Sequence, residues 1–427
     1  MSALPQGRPK AGQANDMEPR SGEHPSPPRE GRMGGAGLSL PLFMVGVTGT
    51  NGKTSVTQWV AHALTRLGRK CALVGTLGNG FPGALVPSPN TTPGAHVLRE
   101  FLPEIVRQGA QACAMEVSSI GLHQGRVAGI RFDVAIFTNF TRDHLDYHGT
   151  MEAYADEKRK LFEMPGLRTA VINLDDAFGR KLAARLKGKV HTIGYTLEAV
   201  TGTDTVLRAT DLVETGTGIS FMLDGVRFSA PVVGRFNASN LLAVIGALLA
   251  GEEKPGDIAA VLKHITPPAG RMQSVGGADA PLVVVDYAHS PDALEKVLTT
   301  LRATATARDG RLVCVFGCGG DRDAGKRPQM GAIAEQLADA VVLTSDNPRN
   351  EDPQAIIAAI LAGMQSQPAV EPDRTAAINA AIAQADVRDV ILLAGKGHEP
   401  YQEIAGVRLP FSDLEIAKSA LAGRQPC

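Results

Sequence analysis

Phe43-Met44-Val45-Gly46-Val47-Thr48-Gly49-Thr50-Asn51-Gly52-Lys53-Thr54 is the stretch on which the fold turns. Its first five residues are an almost continuous apolar run, the pattern of a strand buried on both faces of a parallel sheet. From Thr54 to Leu67 a helix is predicted, stopped by Gly68. Between them lies a glycine-rich loop, Thr48 to Lys53. A loop in that position binds phosphate, because backbone N–H groups and the positive helix end converge on an anion. In Gly49-Thr50-Asn51-Gly52-Lys53-Thr54, Lys53 is placed to neutralise β/γ-phosphate oxygens and Thr54 to ligate Mg²⁺. Val47 departs from the strict GxxxxGK[ST] spacing, which asks for glycine there.

Outward from the loop, short apolar strands recur at Cys71–Val74, Ala112–Met115, Val134–Phe137 and Thr169–Asn173. Strands alternating with helices predict a parallel sheet covered on both faces. Residues 190–236, rich in Thr, Val and Gly, read as short antiparallel strands, and a helix follows from Ala238 to Gly251. After the linker Pro267-Pro268-Ala269-Gly270 a second alternating run begins, with strands at 282–286, 312–316, 340–344 and 389–394. The expected fold class is α/β: a P-loop central domain over 41–267 and a Rossmann-like C-terminal domain over 268–427. Residues 1–40, with 6 Pro and 7 Gly and no apolar periodicity, read as a disordered tail or as a mis-assigned start.

Composition narrows the function. Lys+Arg 43 against Asp+Glu 44 leaves a net charge of −1, which argues against nucleic acid or an acidic membrane surface as partner. Five cysteines in 427 residues, without a CxxC pair, form no disulfide framework and suit a reduced, cytoplasmic protein. The longest apolar run, Leu241 to Gly251, is about half a membrane span. No basic region followed by an apolar stretch marks a signal peptide.

Polar residues that follow the strands carry the chemistry, since ligands of open α/β sheets bind at the carboxyl ends of strands. Glu116 ends one strand, where a carboxylate holds a metal or caps the surface. Thr138-Asn139-Phe140-Thr141-Arg142-Asp143-His144-Leu145-Asp146-Tyr147-His148 is dense in groups that bind metals or move protons. Lys158, on a helix, reads from its chemistry alone as a solvated lysine. The second half contributes Asn237-Ala238-Ser239-Asn240, Gly270-Arg271-Met272 and Asp286-Tyr287-Ala288-His289. It also contributes Gly317 to Asp323, Asp346-Asn347-Pro348-Arg349 and Gly395 to Glu399. Arg, Asp, Asn and Glu together suit a small zwitterion, because Arg grips carboxylates and carboxylates grip ammonium groups.

Taken together and in this order, the motifs resemble the Mur ligase family, most closely its diaminopimelate-adding members. The resemblance runs from about Val45 to Asp413. It implies an ATP-dependent, ADP-forming amide ligase of peptidoglycan precursor synthesis. Such an enzyme adds meso-diaminopimelate to a UDP-MurNAc-L-Ala-D-Glu-like carboxylate through an acyl phosphate. It implies ATP and Mg²⁺ as cofactors, small-molecule partners, no nucleic acid or membrane partner, and a cytoplasmic monomer. Lys53, Lys158 and His144 match catalytic positions. Lys158 matches the family's carbamylated lysine, which overturns the solvated reading. Thr54, Glu116, His144 and carbamylated Lys158 match metal positions. Gly49, Thr50, Asn51, Gly52, Lys53, Thr54, Asn240, Arg271, Asp286 and His289 match nucleotide contacts. Asn90, Thr91, Thr92, Ser118, Gln124 and Arg126 match acceptor contacts. Arg322, Asp346, Asn347, Arg349, Gly395 and Glu399 match the diaminopimelate pocket. There Arg349 would pair with the distal carboxylate that lysine lacks.

Three departures qualify the resemblance. The phosphate loop begins at residue 49, so the sequence carries no counterpart of the family's N-terminal UDP-binding domain. Ile120 stands where the family has His, and Gln273 where it has Glu. These departures leave open a related ligase with a UDP-free acceptor. A non-catalytic nucleotide-binding paralogue is the other class, opposed by the presence of Lys53, Glu116, His144 and Lys158. Folylpolyglutamate synthase, a relative, fits poorly with Asp346–Arg349 and Gly317–Asp323.

Overall fold

The computed structural model describes residues 40–215, 218–277 and 279–424. The expectation of a disordered tail falls, apart from Leu40, outside the described residues.

The first sheet has nine strands: β1 Phe43–Thr48, β2 Cys71–Gly75, β3 Gly78–Phe81, β4 Ala84–Val86, β5 Ala112–Glu116, β6 Val134–Phe137, β7 Thr169–Asn173, β8 His191–Thr196 and β9 Thr205–Arg208. Their spatial order is β4-β3-β2-β5-β1-β6-β7-β8-β9. All neighbours are parallel except in the β2–β3–β4 meander. β1 lies in the middle, with Val47 opposite Glu116 of β5 and Ile136 of β6. Alternation along β1 sends Val45 and Val47 to one face and Met44 to the other. The first face packs on Val56, Trp59, Val60 and Leu64 of the helix Lys53–Arg66 and on the helix Arg235–Ala250. The second face packs on Leu98, Leu102 and Ile105 and on Leu182 and Leu186. The long apolar run noted in the sequence is thus a core helix, buried from Asn237 to Leu248 except at Ser239.

Residues 190–236 differ in part from expectation. β8 and β9 extend the parallel sheet. The antiparallel reading holds for β10 Thr210–Thr215, β11 Gly218–Leu223 and β12 Val226–Ala230, which form a separate three-stranded sheet. A Thr/Val-rich strand can pair in either direction. What decides is the neighbour across the sheet, β7 for β8 and β8 for β9, which lies outside the strand itself.

The second large sheet holds β13 Gln273–Gly276, β14 Leu282–Asp286, β15 Leu312–Phe316, β16 Ala340–Leu343, β17 Ala369–Val370 and β18 Val390–Ala394. Its order is β13-β14-β18-β15-β16-β17, parallel except at the β13 edge. Helices Pro291–Ala307, Arg327–Leu337 and Pro353–Leu361 cover one face, and Arg374–Gln384 and Asp413–Ala422 the other. A hairpin, β19 Tyr401–Ile404 and β20 Val407–Pro410, follows. Cys71, Cys113, Cys314 and Cys318 are buried free thiols, and burial pushes Cys71, Cys314 and Cys318 up to about 12.

Candidate active site

β1 delivers the loop Gly49–Gly52 to the carboxyl edge of the first sheet. Gly49 (φ 151°) and Gly52 (φ 84°) are required there: a Cβ would lie 1.8 Å from Thr138 Oγ1 at the first and 2.6 Å from Asn240 Oδ1 at the second. Asn139 braces the loop by accepting from Asn51 N at 2.8 Å and donating to Asn51 O at 3.1 Å. The Thr50 hydroxyl lies 3.2 Å from Tyr154 Oη. The helix that follows has neither a side-chain cap nor an acid in its first turn, so its positive end is open to an anion. Lys53 Nζ donates to Gly49 O at 3.0 Å and Thr50 O at 2.9 Å. Burial lowers its pKa, against the opposing pull of Glu116 and Asp143.

Glu116, 2% exposed at the end of β5, accepts from Thr54 Oγ1 at 3.0 Å, Thr76 N at 2.9 Å and Thr76 Oγ1 at 3.1 Å. Among the described residues no cationic side chain pairs with it. A buried carboxylate served only by hydroxyls and an amide is under-compensated. With the Thr54 hydroxyl beside it, it offers the oxygen donors that Mg²⁺ prefers. Among the described residues no group of three or more His, Cys, Asp or Glu side chains is arranged to hold a metal ion by itself, so a hard cation here would take further oxygens from water and phosphate.

Lys158 is 1% exposed, not solvated as its helical setting suggested. Its Nζ donates to Gly49 O at 2.8 Å and sits 4.3 Å from the Tyr154 ring centroid, with no carboxylate in ion-pair range among the described residues. Burial, then nearby Lys53, hold its pKa well below the ordinary value. His144 adopts a left-handed backbone (φ 54°). Desolvation and the neighbouring Lys53, Lys158 and His289 push its ring down to about 3, against Asp143. A neutral imidazole keeps the lone pair a metal needs.

Asp143 joins the two halves. Its carboxylate lies 3.5 Å from His144 Nε2, 3.6 Å from His289 Nε2 and 3.9 Å from Lys326 Nζ. Burial raises its pKa, but His289, His144 and Lys326 together hold it well below the usual carboxylate range. Arg142 donates to both Asp323 oxygens at 3.0 and 3.1 Å, and Asn51 Nδ2 to Asp292 Oδ2 at 3.0 Å. Arg271 reaches across to Thr54 Oγ1 at 3.3 Å, stacks on Tyr287 at 4.5 Å and leaves its buried Nε without a partner. Asp286 accepts from Met272 N at 2.8 Å, and burial raises its carboxyl pKa. Asn240 donates to Asn237 Oδ1 at 3.1 Å. A cavity of about 500 Å³ continues from the loop between the halves, lined by Asn51, Gly52, Asn240, Arg271 and Asp286 with Trp59 and Phe236.

On the other side of Glu116, the Thr92 hydroxyl donates to Glu116 O at 2.9 Å, accepts from Ser118 N at 2.9 Å and meets Ser118 Oγ at 3.1 Å. Thr91 Oγ1 lies 3.0 Å from Thr76 Oγ1. Arg126 donates to Thr92 O at 2.6 Å and Gln124 Oε1 at 2.8 Å, and Gln124 donates to Tyr147 Oη at 3.1 Å. Asn90 is exposed at the rim beside Ser88. Ile120 is half-buried next to this group, and Gln273 Oε1 caps the 270–273 turn by accepting from Gly270 N at 2.9 Å.

The third group gathers at the carboxyl edge of the second sheet. Asn347 donates to Glu399 Oε2 at 2.8 Å and accepts from Lys396 Nζ at 2.9 Å and Glu403 N at 2.9 Å. Arg349 (φ 51°) is clamped by the hairpin, with N to Glu403 O at 3.0 Å and O accepting from Ala405 N at 2.7 Å. Its Nη1 donates to Gly320 O at 2.7 Å. A Cβ at Gly395 (φ 111°) would sit 2.4 Å from Asp346 Oδ2, so only glycine lets these loops approach. Arg322 stands at the opening, 51% exposed and 3.9 Å from Asp146 of the first half.

Sequence reasoning assigned no role to Thr76, Asp143, Tyr154, Lys326 or Lys396. Asp143 and Lys326 lie in or next to quoted motifs, so adjacency was a usable signal. Thr76 and Tyr154 carry none, because only tertiary packing brings Thr76 to Glu116 and Tyr154 to Thr50 of the loop.

Residues 47–248 match the Mur ligase middle domain, and 270–397 the Mur ligase glutamate ligase domain. The chain is 55% identical over 403 residues to the UDP-N-acetylmuramoyl-L-alanyl-D-glutamate–2,6-diaminopimelate ligase of Chromobacterium violaceum, spanning 91% of this chain and 80% of that one. With the Pseudomonas aeruginosa protein of the same name it shares 56% over 391 residues, 90% and 79% of the two chains. A solved structure of a ligase of that name matches with TM-score 0.62 at 41% identity, over 90% and 79%. Mycobacterium tuberculosis folylpolyglutamate synthase complexed with ADP and AMPPCP shares the fold, with TM-score 0.64 at 21% identity, over 90% and 92%. The chain belongs to the Mur ligase family.

Proposed function

We propose that this chain is an ATP-dependent, ADP-forming ligase that joins meso-diaminopimelate to the carboxylate of a UDP-MurNAc-L-Ala-D-Glu-like acceptor in peptidoglycan precursor synthesis. The observation that carries the reading is the facing of two sites across one interface. A phosphate loop with Lys53 and Glu116 lies on one side, a pocket with Arg349 and Glu399 on the other, and Arg142–Asp323 spans them.

In this reading residues 41–267 do the nucleotide chemistry and 268–427 bind the amino acid. The loop amides and Lys53 hold the triphosphate, Asn240, Arg271, Asp286 and His289 close over the nucleotide, and the cavity takes the base. The acceptor lies on Thr91, Thr92, Ser118, Gln124 and Arg126 with Asn90 at the rim. Its carboxylate oxygen attacks the γ-phosphorus, giving an acyl phosphate and ADP. The free amine then attacks the acyl carbon, a tetrahedral adduct forms, and phosphate leaves with the amide made. Bound Mg²⁺ would offset phosphate charge, and Thr54, Glu116, His144 and a carbamate on Lys158 are the residues to hold it. The protein's own contribution is positioning and charge placed in advance. Arg322 and Arg349 grip carboxylates of the amino acid, and Asp346, Asn347, Gly395 and Glu399 complete the pocket. An unpaired Arg349 would penalise lysine. Among the described residues no helix is long and apolar enough to cross a membrane. The reading takes the protein as a cytoplasmic monomer acting on dissolved substrates.

The test supplies ATP, Mg²⁺ and diaminopimelate with either UDP-muramoyl dipeptide or a UDP-free acyl dipeptide, and measures ADP. Release that needs both diaminopimelate and the UDP-bearing acceptor is expected. Turnover with the UDP-free acceptor alone would overturn the cell-wall reading.

A further inference from the structure

Arg374 and Asp413 form an ion pair that the chemistry above does not use. Both side chains are fully buried. The pair is bidentate, with Arg374 Nε to Asp413 Oδ1 and Nη2 to Oδ2 both at 2.8 Å. Each residue opens a helix on the same face of the second sheet, Arg374–Gln384 and Asp413–Ala422.

The remaining donors of the guanidinium go to two loops. Nη2 donates to Ala394 O at 2.9 Å, and Nη1 to Ser345 O at 3.4 Å. Ala394 ends β18 and is followed by Gly395; Ser345 immediately precedes Asp346. β16 and β18 are not neighbours, because β15 lies between them, with Phe316 opposite both Leu343 and Ala394. Strands two apart are separated by about 10 Å and share no ladder hydrogen bond. Beneath the pocket, Arg374 therefore links two segments that the sheet itself does not join. Those segments carry Asp346, Asn347, Arg349, Gly395 and Glu399.

A buried ion pair stabilises a fold no better than well-packed apolar residues of the same volume. What this one adds is a defined geometry, with the Arg374 guanidinium held by Asp413 so that its other donors face Ala394 O and Ser345 O beneath the pocket. Burial opposes the charge on Arg374, but Asp413, then Asp346 and Glu399, hold its pKa up.

We propose that Arg374 and Asp413 are positioning residues for the amino-acid site, holding the Asp346–Arg349 and Gly395–Glu399 segments at the separation that grips a zwitterionic amino acid. The identity of the ligand rests on the ligase reading; the geometry does not.

The test compares wild type with Arg374→Met/Asp413→Leu, which keeps volume and removes both charges, and with Arg374→Lys, which keeps the charge but cannot reach all four oxygens. The expected result is a KM for diaminopimelate raised about tenfold or more in the double variant and less in Arg374→Lys, with the KM for ATP unchanged. An unchanged KM for diaminopimelate in either folded variant overturns the proposal. Should the double variant not fold, Arg374→Lys decides alone. Amide hydrogen exchange on the same proteins, without substrates, gives a second readout. Faster exchange confined to 345–349 and 395–399 supports the positioning role even if wild type proves unable to use diaminopimelate. Unchanged exchange there overturns it.

Discussion

The Thr54 hydroxyl donates to the buried Glu116 carboxylate at 3.0 Å, tying the first turn of the phosphate-loop helix to the neighbouring strand. Glu116 thus has a fixed direction before any substrate arrives. Replacing it by Ala is expected to lower ADP release about a hundredfold or more. Mg²⁺-dependent nucleotide affinity, measured by calorimetry with and without the metal, should fall with it, while affinity in EDTA stays near wild type.

Lys158 is buried and its amine pKa is held well below the ordinary lysine value, chiefly by desolvation, which favours the free base that carbamylation by CO₂ would require. Enzyme stripped of CO₂ should lose activity and regain it with bicarbonate. A ¹³C carbamate signal from labelled bicarbonate should be present in wild type and absent in Lys158→Ala; its absence in wild type would show that the amine works unmodified.

Arg349 is held by the hairpin with its guanidinium on Gly320 O. Arg349→Ala should lower kcat/KM for diaminopimelate about a hundredfold and leave lysine unchanged or improved. Equal losses for both amino acids would mean that Arg349 shapes the loop rather than reads the distal carboxylate.

Gly49→Ala would drive a Cβ to within 1.8 Å of Thr138 Oγ1 from a backbone angle that L-residues avoid. A loss of about 1–3 kcal/mol in unfolding free energy is expected, together with loss of nucleotide binding. A denaturant titration and a nucleotide-binding assay check the two parts separately.

His398 and His148 both have rings pushed down to about 4, chiefly by burial. The unfolded chain binds those protons near pH 6.5, so between about pH 6.5 and 4 it holds more protons than the folded one. On account of these rings stability should fall as pH drops below 6.5; above pH 7 it should keep rising toward the ordinary lysine range, because Lys53 and Lys158, depressed by burial, hold fewer protons folded than unfolded. Asp176 and Asp286, raised by burial, work the other way and blunt the loss. Melting temperatures at pH 7.5, 6.5 and 5.5 check this. A smaller fall is expected in His398→Asn.

The strand–loop–helix at 43–67 was legible because an apolar run, two glycines and a helix stop are local signals. The direction of β8 and β9 was not, since it depends on β7, which a sequence window of strand length does not contain. Lys158 shows the same limit. Asp156, Glu157 and Arg159 surround it in the chain and suggest a wet face, yet packing turns that one side chain inward toward Gly49. Motif order gathered the loop, Glu116, Thr92–Ser118 and the Asn347–Glu399 group. It could not have found Arg374 or Asp413, which meet only when two helices 39 residues apart share one face.

Among the described residues four buried cysteines fall two to each large sheet: Cys71 and Cys113 in the first, Cys314 on and Cys318 just after β15 in the second. Held as un-ionised thiols away from solvent, they are poor nucleophiles while the chain is folded. Each sheet thereby carries its own internal clock. The rate at which a thiol reagent marks one pair, and then the other, would time the opening of the two halves separately in a single unaltered molecule.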